Sequence, residues 1–364
     1  MNLTPFMDRA ELHSNNALST REREILRLVV QRFINTAAPV GSTTLSKEPE
    51  LDLSSASIRN TMGSLEAQGY LNHPHTSAGR VPTQQGYRTY VDELMDVAGL
   101  SQDEATLLRA SVERRLGDLD AVARETSRLL GRLTQLLGVV LTPSLSTGVL
   151  ERLDIVPLSS MRVMFVIAVQ SGLARTVIAE VDGEVPARGL DTIVQRLNER
   201  LAGLTLDEIR KTGAERVKDL GTADRTGIVR VVLRDSGVLF SEADEASRTT
   251  IAGTQHLLSQ PEFQEPEEIR NVIELAESED VVVHLLESPA MFDPEHPERA
   301  VVVIGRDVRR EKAFNTSFSV VGAHYYYGSA TGTVGVIGPT RMDYPRAVAL
   351  VEHVARLLNH SGES

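Results

Sequence analysis

Apolar residues recur at helical spacing through the first hundred positions of the chain. Ile25, Leu28, Val29 and Phe33 mark one face of a helix that opens on Ser19 and Glu22, the spacing of a capping box. An Ala-Pro-Val-Gly run stops that helix near Asn35. Ser42 is placed to cap a short second helix, which Pro49 ends. A third helix follows, with Ser54 as N-cap and Gly69 just beyond its end. Projected at about 100° per residue, Ile58, Met62 and Leu65 of this helix share one side. Ala56, Ser57, Asn60, Gly63, Ser64 and Ala67 share the other, and Arg59 sits on the flank.

That outer face is small and uncharged. A surface helix built for solubility would carry Lys and Glu there. Small residues instead let a helix backbone approach the floor of a major groove, where Asn60 can pair with adenine and Ser57 with a base or phosphate. The competing reading is a helix packed on both faces against a neighbouring domain. The next stretch favours DNA. "YLNHP" and "RVPT" read as short strands around the turn "HTSAG". A helix-turn-helix followed by such a hairpin is a winged helix. Arg80, Thr76 and Ser77 then face phosphate or a minor groove, and Gly79 permits a positive φ at the turn. Thr83 can cap a further helix with Tyr87, Tyr90, Val91 and Leu94 on one face. His73 and His75 invite a metal reading, but zinc needs a third or fourth ligand, and the loop holds neither cysteine nor carboxylate. Polar wing residues, charged only at low pH, are the better account.

Farther on, Val112, Leu116, Leu119, Ala123, Thr126, Leu130, Leu133 and Leu137 predict a long helix with a seam-like stripe, facing either a second chain or its own domain. "RVMFVIAVQSGLARTVIAEVDGEV" predicts two strands joined by a Ser-Gly turn, and residues 190–220 a helical block. "IVRVVLRDSGVLFSEA", "AVVVIGRD", "SFSVVGAHYYYG" and "GTVGVIGP" read as strands, and "YPRAVALVEHVARLLNH" as a closing helix. Strands on both sides of a helical block suggest one α+β domain carrying an insertion.

Composition narrows the class. A chain of 364 residues predicts two or three domains. It has no cysteine, no secretory signal at its start and no apolar run near the ~20 residues that span a bilayer, which points to the cytoplasm. The first 17 residues read as a loose tail. The net charge is -12, yet Leu18 to Met95 carries eight basic and eight acidic residues. From Ser54 to Tyr90 three arginines face one glutamate. A modest basic patch on an acidic protein suits a selective reader of nucleic acid. No phosphate loop, dinucleotide fingerprint or nucleophile cluster emerges, so neither enzyme activity, cofactor nor metal is expected. His324 reads as structural. "GVIGPTRMDY" reads either as an effector-pocket lining or, preferably, as a tight strand-to-helix connection with Arg341 in a structural ion pair.

Three runs, "LSTREREILRLVVQRFINTAAPVGSTTLSK", "SIRNTMGSLEAQGYL" and "HPHTSAGRVPTQQGYRTYVDELM", closely resemble the heat-inducible transcription repressors of bacteria. The resemblance returns in "LNERLAGLT", "LLSQPEF" and "VGAHYYYGSATGTVGVIGPTRMDYPRAV", so it covers nearly the whole chain from Leu18. Thr43 stands where it would place an arginine, and Gln84 and Gln85 where it would place a more charged segment. It implies a multidomain α+β protein: a winged helix-turn-helix over 18–98, a linker helix and the first part of a GAF-like domain over 99–185, and the second part of that domain over 262–364. A dimerisation module is inserted at 186–261. It further implies a homodimer that binds double-stranded DNA at an inverted repeat before DnaK-type and chaperonin genes, with the chaperonin as modulator and release on heat stress. The candidate DNA contacts are Thr43, Thr44, Ser55, Ser57, Arg59, Asn60, Ser64, His75, Thr76, Ser77, Gly79 and Arg80. The rivals are a metabolite-responsive winged-helix regulator and an enzyme with an appended DNA-binding module.

Overall fold

Ser19 and Glu22 open α1 (Thr20–Thr36) as their spacing predicts: each side chain takes the other residue's backbone N–H, at 3.3 and 3.0 Å. The structure is a computed structural model that describes residues 18–49, 51–74, 79–97, 99–114, 118–145, 148–170, 172–181, 189–222, 224, 226–240, 248–288, 291, 293, 296–305, 318–328 and 330–361. Ile25, Leu28 and Val29 are buried with Leu26, Val30 and Ile34, while Phe33 is half-buried. In α2 (Ser42–Leu45) the N-cap is Gly41 and not Ser42. Ser42 lies buried within the first turn, and its hydroxyl meets that of Ser55 at 3.0 Å, so packing against the next helix took the group that sequence had assigned to capping. Ser54 does cap α3 (Ser55–Ala67), accepting from Ser57 N–H at 3.2 Å. Gly69 follows at φ 84°, the left-handed position that ends such helices.

Strands β1 (Leu71–Asn72) and β2 (Val81–Pro82) pair antiparallel. Val40, just before α2, joins them through a two-bond bridge to Arg80, 2.8 and 2.9 Å. Gly79 makes that approach possible, because a Cβ there would stand 2.3 Å from the Val40 carbonyl carbon and oxygen. The close approach is what the structure requires of this glycine. Thr83 caps α4 (Gln84–Thr89), which runs on as a π-helical turn at Tyr90–Leu94. Tyr87 and Tyr90 are buried, with Val91 and Leu94 half-buried.

The expected single helix over 112–137 is instead two helices, α5 (Gln102–Glu113) and α6 (Leu119–Thr134). Asp118 caps α6 by accepting from Ala121 N–H at 2.9 Å. The left-handed Gln135 ends it, and Leu137 already lies in β3 (Leu137–Leu141). Ala123, Thr126 and Leu130 are buried within the chain's own fold, and Leu116 lies outside the described residues. Next come β4 (Leu150–Pro157), β5 (Arg162–Val169) and β6 (Ala174–Glu180), an antiparallel meander, then α7 (Leu190–Leu201), α8 (Leu206–Val217) and α9 (Ile228–Leu239).

Helix α9 replaces a predicted strand. Its β-branched run favoured a strand, but Ile228, Val229, Val231, Val232 and Leu239 bury one helical face, and tertiary packing overrode propensity. The Asp224 carboxylate accepts from Val229 N–H at 2.8 Å, which satisfies a donor of the first turn. One hydrophobic cluster links β4–β6 with α7–α9 through Leu153, Phe165, Leu197, Ile209, Val232 and Phe240. The chain then returns in β7 (Thr249–Ala252), which pairs antiparallel with β3. Residues 142–248 thus lie between two paired strands of one sheet.

The remainder is α10 (Thr254–Leu258), α11 (Pro266–Glu277), α12 (Glu279–Leu286), β8 (Val301–Ile304), β9 (Phe318–Tyr327), β10 (Ala330–Pro339) and α13 (Tyr344–Ser361). A five-stranded sheet runs in the order β7-β3-β10-β9-β8. His324 is buried in it beside the Thr333 hydroxyl, 3.1 Å from Nδ1, and burial lowers its pKa. Two compact units result: Met1–Ala98 with Ile304–Ser319 and Gly338–Ala347, and Gly99–Val303 with Val320–Ile337 and Val348–Ser364. No helix among the described residues is long and apolar enough to cross a membrane.

Gly79→Ala should destabilise the N-terminal helices and hairpin by about 1–3 kcal/mol, the cost of overpacking a closed site. Denaturant melts of the two proteins check this, and equal midpoints would refute it.

Candidate nucleic-acid interface

The sequence-predicted contacts divide by what their side chains already do. Thr43 and Thr44 on α2, and Arg59 and Asn60 on α3, are exposed, and Ser57 is half-exposed beside them. Ile58, Met62 and Leu65 face the core, so burial of one helical stripe turns Arg59 and Asn60 outward. These residues belong to α2 and the N-terminal half of α3. That half carries the positive end of the helix dipole and, with Arg59, a cation. In helix-turn-helix proteins the N-terminal residues of the second helix meet base edges.

Three other predicted contacts are engaged within the fold. Ser55 is tied to Ser42, which locks α2 to the start of α3. Ser64, though exposed, donates its hydroxyl to Glu22 at 2.8 Å. Arg80 forms an ion pair with Glu66 on α3 at 2.8 Å, and its side chain is only 19% exposed. The sequence reading offered the Arg80 guanidinium to phosphate. The structure puts it at the base of the hairpin, where it fastens the hairpin to α3. His75, Thr76 and Ser77 lie outside the described residues, and His73 is half-buried. Among the described residues no group of three or more His, Asp or Glu is arranged to hold a metal.

Glu22 is the group that sequence reasoning underrated. Beyond its capping role, its carboxylate accepts from Ser64 and from the Gln68 amide at 2.9 Å. It thereby joins the start of α1 to the last turns of α3. These bonds, led by the Ser19 backbone N–H, hold its pKa down at about 2. The capping box was legible from a spacing of three. The reach to residues 42 and 46 positions away was not, because no local pattern encodes it.

A lowered carboxylate pKa adds stability above its unfolded value near 4.5, and that stability is lost as pH falls toward about 2. The stability gap between wild type and Glu22→Gln should therefore narrow over that window in urea titrations at successive pH values. The gain is small because solvent screens this surface group. A gap constant with pH would show that the charge of Glu22 contributes nothing.

A family model described as "HrcA protein C terminal domain" matches residues 120–348. The heat-inducible transcription repressor HrcA of Chlorobaculum parvum is 39% identical over 350 residues, covering 94% of this chain and 97% of that protein. The repressor of the same name from Prosthecochloris aestuarii is also 39% identical, with the same coverage. Among solved structures, a crystal structure of a hypothetical protein superposes with a TM-score of 0.57 at 25% identity, covering 95% of this chain and 99% of that one.

Proposed function

The chain belongs to the HrcA family of heat-inducible transcription repressors, and from that premise we propose that it represses chaperone genes by binding DNA as a dimer. The observation that carries this reading is the outward face of α3. It holds Asn60, Arg59 and Ser57 on a helix whose other side is buried and whose neighbours are a short preceding helix and a following hairpin. This order supports reading the segment as a winged helix. Its third helix enters the major groove, and Asn60 pairs with a base while Arg59, Thr43 and Thr44 meet the flanking backbone. Ser55, Ser64 and Arg80 act by holding α2, α3 and the hairpin in mutual register. Thr76, Ser77 and His75 remain candidate DNA contacts on their residue type, beside Gly79.

An inverted-repeat operator calls for a two-fold protein. The outer face of β4–β6 supports one. Val156, Met164 and Ile178 lie across from one another on the three strands, with Val156 42% and Ile178 53% exposed. An apolar sheet face of this kind is what a second copy covers. The dimer module on this reading comprises the cluster from Leu150 to Phe240, and the five-stranded sheet with α13 forms the GAF-like domain. The regulated genes are those of the DnaK-type and chaperonin systems. Free chaperonin keeps the repressor competent, and heat consumes that chaperonin and releases the operator. No step in this cycle requires catalysis by the repressor.

Fluorescence anisotropy on a duplex carrying the inverted repeat upstream of the host's chaperonin operon tests the reading, with and without chaperonin. Affinity equal to that for scrambled duplex would sink it. Asn60→Ala should cut discrimination between the two duplexes by about 1–3 kcal/mol. Ile178→Asp should shift sedimentation from dimer to monomer. A variant that still sediments as a dimer would remove the sheet face from the interface.

A further inference from the structure

Arg341 lies between the end of β10 and the start of α13, far in sequence from the DNA-reading helices, yet its guanidinium Nη1 donates to the Ile34 carbonyl in the last turn of α1. The final carbonyls of a helix lack intrahelical partners. The last turn of α1 has no basic residue of its own, so Arg341 supplies both a hydrogen bond and the cation that complements the negative helix end. Two further links tie α4 to C-terminal segments of the first unit. The rings of Tyr87 and Tyr344 meet at 6.2 Å and 58°. The Tyr344 hydroxyl donates to the Thr340 carbonyl at 2.7 Å, which stiffens the turn that carries Arg341. Gln84, at the start of α4, donates to the Ile304 carbonyl at 2.9 Å.

α1 is thus clamped at both ends. Glu22 joins its start to Ser64 and Gln68 of the α3 region, and Arg341 holds its end. We propose that the Thr340–Tyr344 turn is the seat on which the DNA-reading helices are aligned, with Arg341 as a positioning residue for operator binding. Arg341 touches no DNA in this scheme. It fixes α1, and α1 fixes the angle of α3. The inference rests on the repressor reading above.

The two layers separate in one experiment. Full-length wild type, Arg341→Ala and Arg341→Lys are titrated by anisotropy against the inverted-repeat duplex and a scrambled duplex, well below their melting temperatures and over a salt series. Arg341→Ala is expected to weaken operator binding by about tenfold or more, with scrambled-duplex affinity and its salt slope unchanged, because the phosphate contacts remain. Arg341→Lys, which retains a cation for the Ile34 carbonyl, is expected to recover part of the loss. A folded Arg341→Ala protein with operator affinity within about twofold of wild type overturns the inference, as does an equal loss on both duplexes. If the alanine variant does not fold, the lysine variant decides by the same comparison: an operator-specific loss supports the seat, and wild-type affinity or an equal loss on both duplexes refutes it. Wild type that cannot tell the duplexes apart overturns the repressor reading itself.

Discussion

Glu22 accepts hydrogen bonds from Ser19, Ser64 and Gln68, and the geometry of the outward face of α3 follows from that convergence. The apolar stripes of α1 and α3 bring the helices together, but burial is non-directional and tolerates sliding. A carboxylate with several fixed donors does not, because hydrogen bonds weaken steeply with distance and angle. The polar clamp therefore sets the register in which Asn60 and Arg59 are presented. At the other flank of α3, Glu66 holds Arg80 and with it the hairpin base. Both acidic groups are engaged within the fold.

The same division between apolar drive and polar alignment recurs in the second unit. Leu150 to Phe240 form one cluster that closes around the inner face of a three-stranded meander. The outer face of that meander keeps Val156, Met164 and Ile178, which no helix of the described chain covers in that way. A strand with apolar residues on both faces reads in sequence as fully buried. On that outer face Val156 and Ile178 stay exposed and Met164 is half-buried.

Local chemistry was legible wherever cause and effect lie within a turn or two. Ser19 with Glu22, Ser54, Gly69 and Thr83 marked helix ends because capping acts over three or four residues. The core stripe of α3 followed from the 3.6-residue period alone. The failures share a cause. Residues 228–239 carry β-branched propensity, and only contact with α8 and the meander made them a helix. The stripe over 112–137 runs through a cap at Asp118 and into a strand, since a period of three or four does not by itself say where a helix stops. Ser42 reads as a cap by residue type, and a tertiary partner claimed its hydroxyl.

By itself, then, the sequence determined the order of the N-terminal helices and hairpin, the inward and outward faces of α3, and the family motifs that run from Leu18 to the last helix. It did so because periodicity, caps and turns are short-range consequences of residue type. Only the tertiary structure decided that Glu22 and Arg341 clamp α1 at opposite ends, that Arg80 faces Glu66, and that β4–β6 share a core with α7–α9 and not with β3. Those choices join residues tens to hundreds of positions apart. Many polar partners of equal local merit compete for each such contact, and the packed backbone alone brings one of them within reach.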